Sequence, residues 1–254
     1  MGKEIHWSFP TQECDLEPGE VHVWAADLDV PSKDFEQFAE SLSTREIERA
    51  ARFHFERDRK RFVAGRGLMR TLLSRYLQIE PSGIEFRYNA QGKPSVVTAG
   101  AGDSLQFNLT HCEDLALLAV TRLAEVGVDI ERVRALEDFD DLVRKFFSSR
   151  ESAAFANLGV EEKPAAFFNL WTRKEAWLKA TGEGIAHSLH LVEVAFLPGE
   201  SARLVNLPRQ LAGGTRWTLH ELDPAENFTA ALAINGAPES LKCWRCPREN
   251  MVSL

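Results

Sequence analysis

Apolar and polar positions change period several times along the chain, and each change marks an element. Residues 21–26 form a short apolar run that predicts a strand. Ser43-Thr44-Arg45-Glu46 has capping-box spacing, in which a serine and a glutamate three positions on satisfy the helix's first N–H groups, so a helix is expected to open there toward Phe53. Asp58 stands where it could cap a second helix, in which Phe62, Met69, Leu72, Leu73 and Tyr76 recur at helical spacing and Arg59, Arg66 and Arg70 share another face. The runs 84–88, 105–109 and 115–120, separated by Gly, Pro, Asn and Asp, read as antiparallel strands. A strand over 126–131 follows, then helices near 136–146, 149–158 and 164–180, then strands over 191–196, 216–222 and 228–234. Strands, helices and strands thus occur twice, which predicts an α+β fold of two similar halves, 1–123 and 124–254. Aromatic pairs, Phe53 with Phe55 and Phe146 with Phe147, each precede a charge-rich helix and give a faint internal repeat.

Composition narrows the class. No apolar stretch approaches the length of a membrane span, since runs such as 115–120 are far too short, and the first residues lack the apolar core of a secretory signal. A soluble cytoplasmic protein is expected. The four cysteines are too few and too unevenly spaced for a disulfide framework, and Cys243-Trp244-Arg245-Cys246 lacks the second pair or nearby histidine of a zinc tetrad. Net charge is −8, yet the stretch from Arg45 to Arg75 carries ten basic residues against four acidic ones. A basic island on an acidic chain suggests a local anionic ligand rather than general nucleic-acid affinity; for any one arginine, a solvated helix face is an equal reading.

Two motifs carry candidate chemistry. In Val126-Gly127-Val128-Asp129-Ile130-Glu131 strand alternation sends both carboxylates to one face and the branched residues to the other. Paired carboxylates repel unless a cation neutralises them, and a hard cation such as Mg²⁺ suits oxygen ligands; solvated acids on an exposed strand edge fit the motif equally well. Trp171, Glu175 and Lys179 are spaced by four and line one helix face, where Glu and Lys are often no more than a surface ion pair. Beside Asp129 and Glu131, however, Glu175 reads as a third metal ligand or general base, and Lys179 as the cation facing a leaving phosphate. Gly182-Glu183-Gly184 is expected to end this helix. Thr110-His111 closes a strand and Lys93 lies in a Gly-Lys-Pro turn, positions that are more often structural than functional when taken singly.

Together, Gln91-Gly92-Lys93-Pro94, Phe107 to His111, Val126 to Glu131 and Trp171 to Lys179, in this order and spacing, resemble the 4′-phosphopantetheinyl transferase superfamily, in its long, monomeric, surfactin-synthetase-activating type. The resemblance runs from about Ser43 to Ile185. It implies two similar α/β subdomains related by a pseudo-twofold axis with coenzyme A in the cleft between them. It also implies transfer of the 4′-phosphopantetheine moiety to a serine of an apo acyl, peptidyl or aryl carrier protein, with Mg²⁺, or Mn²⁺ in its place. Carried over by position, Asp129, Glu131 and Glu175 match the metal ligands. Glu175 also matches the base and Lys179 the residue that stabilises the leaving bisphosphate. Arg61 and His111 match the grip on the 3′-phosphate, Lys93 and Thr110 match residues lining the nucleotide, and Arg49 and Arg52 fall near basic phosphate contacts. Thr110, Cys112 and Arg49 depart from the serine, small hydroxyl residue and lysine common at those positions, although threonine keeps the hydroxyl and arginine the charge. Phe146, Phe147 and Trp177 are candidates for carrier contact. A metal-dependent phosphodiesterase would share the acidic motif but needs a broad basic surface, and a non-catalytic coenzyme A binding module would not need intact Asp129, Glu131, Glu175 and Lys179.

Overall fold

The computed structural model describes residues 5–10, 15–97, 105–122, 125–182, 189–208, 216–248 and 251. The N-terminal region holds β1 (Trp7–Ser8), β2 (Glu20–Asp27), α1 (Ser32–Ser41), α2 (Thr44–Ala50), α3 (Glu56–Leu77), β3 (Phe86–Tyr88), β4 (Pro94–Val96), β5 (Gln106–Cys112) and β6 (Leu115–Thr121). There follow β7 (Val126–Arg132), α4 (Phe139–Phe146), α5 (Ser149–Ala156), α6 (Lys163–Thr181), β8 (Glu193–Val194), β9 (Leu204–Asn206), β10 (Trp217–Leu222), β11 (Phe228–Asn235) and β12 (Ser240–Arg245). The fold is mixed α+β.

Two sheets meet face to face. One has the order β1-β12-β2-β6-β5 and the other β10-β11-β7. Alternation along the strands explains the layering. Val21, Val23, Leu117 and Ala119 of the first sheet pack against Val126, Val128, Ile130, Leu232 and Ile234 of the second. The opposite faces take helices: Trp24, Leu118 and Val120 pack with Leu68, Leu72 and Leu73 of α3, and Ala231 and Ala233 pack with Ala176, Trp177 and Ala180 of α6. Each long helix is therefore pressed onto its own sheet by apolar burial.

The same device anchors both. Ser43 caps α2, and its partner Glu46 pairs with Arg66 at 2.5 Å and Arg70 at 2.7 Å from α3. Ser148 caps α5, and its partner Glu151 pairs with Lys174 of α6 at 2.5 Å. Two arginines of the basic island are thus internal struts, not ligands.

Several expectations change. Helix α1 was not predicted, although Pro31 precedes it and Phe35, Phe38 and Leu42 keep helical spacing. Helix α3 opens at Glu56 with Phe55 at the cap position, so Asp58 lies inside its first turn, where an acid suits the helix dipole. Of the strand expected over 191–196 only β8 forms. Strand β12, also not predicted, pairs in parallel with β2, so the last of the described strands lies in the sheet of the N-terminal region. Its alternation buries Cys243 in the core between the sheets, where desolvation pushes the thiol up to about 12. Residues 183, 184 and 185, which belonged to the expected helix stop and to the family resemblance, lie outside the described residues; Gly182 itself ends α6 in the left-handed conformation at φ +71°.

Candidate active site

The close fit of α6 on β7 starts at Gly127. A Cβ built there would lie 2.1 Å from the Ala176 carbonyl oxygen and 2.3 Å from the Ala180 nitrogen, so only glycine lets the helix backbone touch the strand. That contact sets Glu175 and Lys179 over the face of β7 that carries Asp129 and Glu131.

Lys179 pairs with Asp129, not with Glu175. Its ammonium is 2.5 Å from Asp129 Oδ1 and donates to Thr110 Oγ1 at 2.9 Å, while the Thr110 hydroxyl lies 3.4 Å from the same carboxylate oxygen. Neither the surface ion pair nor the solvated strand edge describes these groups: Asp129 and Glu175 are each only 4% exposed. Strand β5 completes this side. Asn108 Oδ1 accepts from the Val128 N–H at 2.8 Å, and the Cys112 thiol lies 3.5 Å from Glu131 Oε2.

Among the described residues, Asp129 Oδ2 and Glu175 Oε1 are buried without a hydrogen-bond partner. Leaving such oxygens unmatched is costly, and the titration of the cluster reflects it. Burial first, then the charges of Asp129 and Glu131 against the opposing Lys179, push the Glu175 carboxyl up to about 7. Burial also raises Asp129 despite Lys179, and burial followed by the Asp129 charge raises Glu131. Three carboxyls that burial raises above the usual carboxylate range, two with unmatched oxygens, fit a small hard cation. Among the described residues, the acidic trio whose oxygens all come within 4.8 Å of one another is Asp27, Asp29 and Asp114; Asp129, Glu131 and Glu175 are spread more widely. That spread suits an ion that retains waters between its carboxylates.

A cleft of about 600 Å³ is lined by Arg49, Phe53, Arg57, Asp58, Arg61, Phe62, His111 and Glu113. Arg57 and Arg61 reach it from one face of α3 because they are four residues apart. Arg61 is held by a bidentate pair to Asp29 at 2.8 and 2.7 Å. His111, next to Thr110 on β5, has its pKa lowered by partial desolvation and then by the charges of Lys179 and Arg61. Arg52 lies in an adjoining groove with Arg45, Glu48, Arg49 and Phe53.

The structure brings Asp129, Glu131, Glu175, Lys179 and Thr110 together, and gathers Arg49, Arg61 and His111 at the cleft. Arg57, Glu113, Phe53 and Phe62 were not among the expected site residues; the i, i+4 spacing of Arg57 and Arg61 was the available signal. Lys93 does not line the cleft, because its ammonium donates to the backbone carbonyls of Ala180 at 2.6 Å and Val126 at 3.1 Å. Of the residues considered for carrier contact, Trp177 is fully buried and Phe147 nearly so, both inside the α6 core; Phe146 is half-buried, edge-on to Trp171.

Two family profiles match the chain in succession: 4′-phosphopantetheinyl transferase, N-terminal, over residues 29–123, and the 4′-phosphopantetheinyl transferase superfamily over residues 125–233. The chain is 41% identical over 238 residues to the 4′-phosphopantetheinyl transferase HetI of Nostoc sp. (strain PCC 7120), covering 94% of this chain and 97% of that protein. It is 31% identical over 221 residues to the 4′-phosphopantetheinyl transferase psf-1 of Bacillus pumilus, covering 87% and 91%. To the 4′-phosphopantetheinyl transferase Sfp of Bacillus subtilis (strain 168) it is 25% identical over 215 residues, covering 85% and 92%. Near-complete coverage at this identity, with the buried acidic cluster and cationic cleft in place, shows that the chain belongs to the 4′-phosphopantetheinyl transferase superfamily.

Proposed function

We propose that this protein transfers the 4′-phosphopantetheine moiety of coenzyme A to a serine of an apo carrier protein, giving the holo-carrier and adenosine 3′,5′-bisphosphate. The observation that carries this reading is the junction of two chemistries on consecutive residues of β5. Thr110 faces the buried carboxylates and Lys179, and His111 lines the cleft with Arg49 and Arg61. A pyrophosphate ester with a second phosphate at its nucleotide end needs both.

Asp129, Glu131 and Glu175 are the residues that would hold Mg²⁺, with Mn²⁺ as a substitute; when bound, the ion offsets the charge of the pyrophosphate. Arg49, Arg61 and His111 hold the nucleotide phosphates, with Arg52 in the adjoining groove. Glu175, directly or through water, takes the proton of the carrier serine as its oxygen bonds to the phosphorus bearing pantetheine. Lys179, already beside Asp129, faces the oxygen that departs with the bisphosphate. Positioning supplies most of the rest in phosphoryl transfer. The enzyme acts as a cytoplasmic monomer on acyl, peptidyl or aryl carriers.

Intact-mass spectrometry tests this. Apo carriers from fatty-acid, polyketide and peptide systems, incubated with the protein, coenzyme A and Mg²⁺, gain one phosphopantetheine, and the gain disappears with EDTA and with Glu175→Gln. Coenzyme A binding without a gain on any carrier makes the protein a binding module instead.

A further inference from the structure

The turn joining β3 to β4 reaches across to the elements that carry the acidic cluster. Asn89 organises this turn: its Oδ1 accepts from the N–H groups of Gln91 at 3.0 Å and Lys93 at 2.8 Å, and the Gly92 N–H donates to the Asn89 carbonyl at 3.0 Å. Gly92 takes φ +88°, which closes the turn and leaves Lys93 pointing away from it. The Lys93 ammonium then donates to the Ala180 carbonyl of the last turn of α6 at 2.6 Å and to the carbonyl of Val126, the first residue of β7, at 3.1 Å. Asn89 Nδ2 adds a bond to the Gly182 carbonyl at 3.4 Å.

These acceptors matter because of what stands beside them. The last carbonyls of a helix have no partner within it and carry partial negative charge, so a cation there is stabilising. Ala180 follows Lys179 directly, and Val126 lies three residues before Asp129. One ammonium therefore joins the two chain segments whose separation fixes how Lys179 meets Asp129. Apolar packing alone presses α6 onto β7 but permits sliding along the strand; two hydrogen bonds from one nitrogen do not. The amine is partly buried, and that burial, opposed by Glu125, lowers it to about 8.

We propose that Lys93 is a positioning residue of the transferase: by tying the end of α6 to the start of β7 it sets Glu175 and Lys179 against Asp129, and it acts through this tie rather than by contact with the nucleotide. This rests on the transferase reading of the cluster.

Transfer kinetics with wild type, Lys93→Met and Lys93→Arg, with coenzyme A varied at saturating carrier, separate the readings. Methionine keeps the length without a donor, and a displaced constellation should lower kcat about 10- to 100-fold. The coenzyme A KM should stay within about threefold, because ground-state binding is not the function removed. Arginine, which retains several N–H donors and its charge, should recover most of the lost kcat. A raised KM with kcat retained would make Lys93 a nucleotide contact, and unchanged kinetics in a correctly folded Lys93→Met would remove it from the mechanism; either overturns the proposal. Hydrogen exchange followed by mass spectrometry gives a readout independent of turnover. Peptides covering 126–129 and 176–182 should exchange faster in Lys93→Met, and unchanged exchange there overturns the tie even if the wild-type protein modifies no carrier, a result that separately refutes the transferase reading.

Discussion

Replacing Glu175 by glutamine should abolish transfer and yet stabilise the metal-free protein at neutral pH. A carboxyl moved from its ordinary 4.5 to about 7 holds its proton more tightly in the folded chain than in the unfolded one. At about 1.4 kcal/mol per pH unit the difference is about 3 kcal/mol. The sign follows from proton counting. Below the unfolded value both states hold the proton and Glu175 costs nothing. As pH rises toward 7 the unfolded chain gives up its proton first, so stability falls, and above the folded value the full penalty of a buried carboxylate facing Asp129 and Glu131 remains. Glutamine has the same shape and does not titrate.

Urea unfolding of wild type and Glu175→Gln without divalent metal, at intervals from about pH 4.5 to about pH 7.5, therefore should show a stability difference that grows in favour of the variant by about 3 kcal/mol. Mg²⁺ at about 100 times its dissociation constant should return about 2.7 kcal/mol to the wild type and much less to the variant. A difference that stays flat across this range would refute the buried, up-shifted carboxyl, and with it the electrostatic case for a cation at this site.

Other outcomes follow from the same geometry. Gly127→Ala should lose about 1–3 kcal/mol or more in urea unfolding, because the added methyl meets the backbone of α6 and either the helix or the strand must move; an unchanged midpoint would mean that the helix does not rest on the strand. Arg61→Ala and His111→Ala should each raise the coenzyme A KM about tenfold while kcat stays within a few-fold, since they grip a part of the substrate remote from the reacting phosphorus. Loss of kcat at constant KM would place them in the reaction instead.

The parts of this site that sequence made legible are those set by local period. Alternation over 126–131 was enough to put Asp129 and Glu131 on one face and Val126, Val128 and Ile130 on the other, as the packing of β7 bears out. The spacing of Glu175 and Lys179 put them on one side of α6. What periodicity could not supply was the partner across a long stretch of chain. Lys93 meets Ala180 and Val126, Lys179 meets Asp129 and Thr110, and nothing near any of these residues in sequence announces the other. Arg66 and Arg70 counted toward a basic surface because their acceptor, Glu46, lies on another helix. One longer signal was present and unread: Ser43-Thr44-Arg45-Glu46 and Ser148-Ser149-Arg150-Glu151 repeat one cap, and each glutamate receives a cation from the long helix that follows.

That second cap holds Lys174, one of three consecutive charged residues, Arg173, Lys174 and Glu175, that are all buried. A single exposed stripe cannot hold them, since successive residues of a helix point about 100° apart. Each instead faces a different side of α6. Arg173 donates to the carbonyls of Ala195 and Glu200 and pairs with Glu221, Lys174 pairs with Glu151 and the Leu189 carbonyl, and Glu175 faces the carboxylates of β7. Turning the helix by one residue would strand two buried cations, at about 3–5 kcal/mol for each broken pair. Apolar contact with the sheet cannot enforce the rotation so sharply, because Ala176 and Ala180 offer little shape to resist it. The charged pairs on the far sides of α6 thus fix its angle, Gly127 fixes its depth and the Lys93 tie fixes its position along β7, which leaves Glu175 one place to stand.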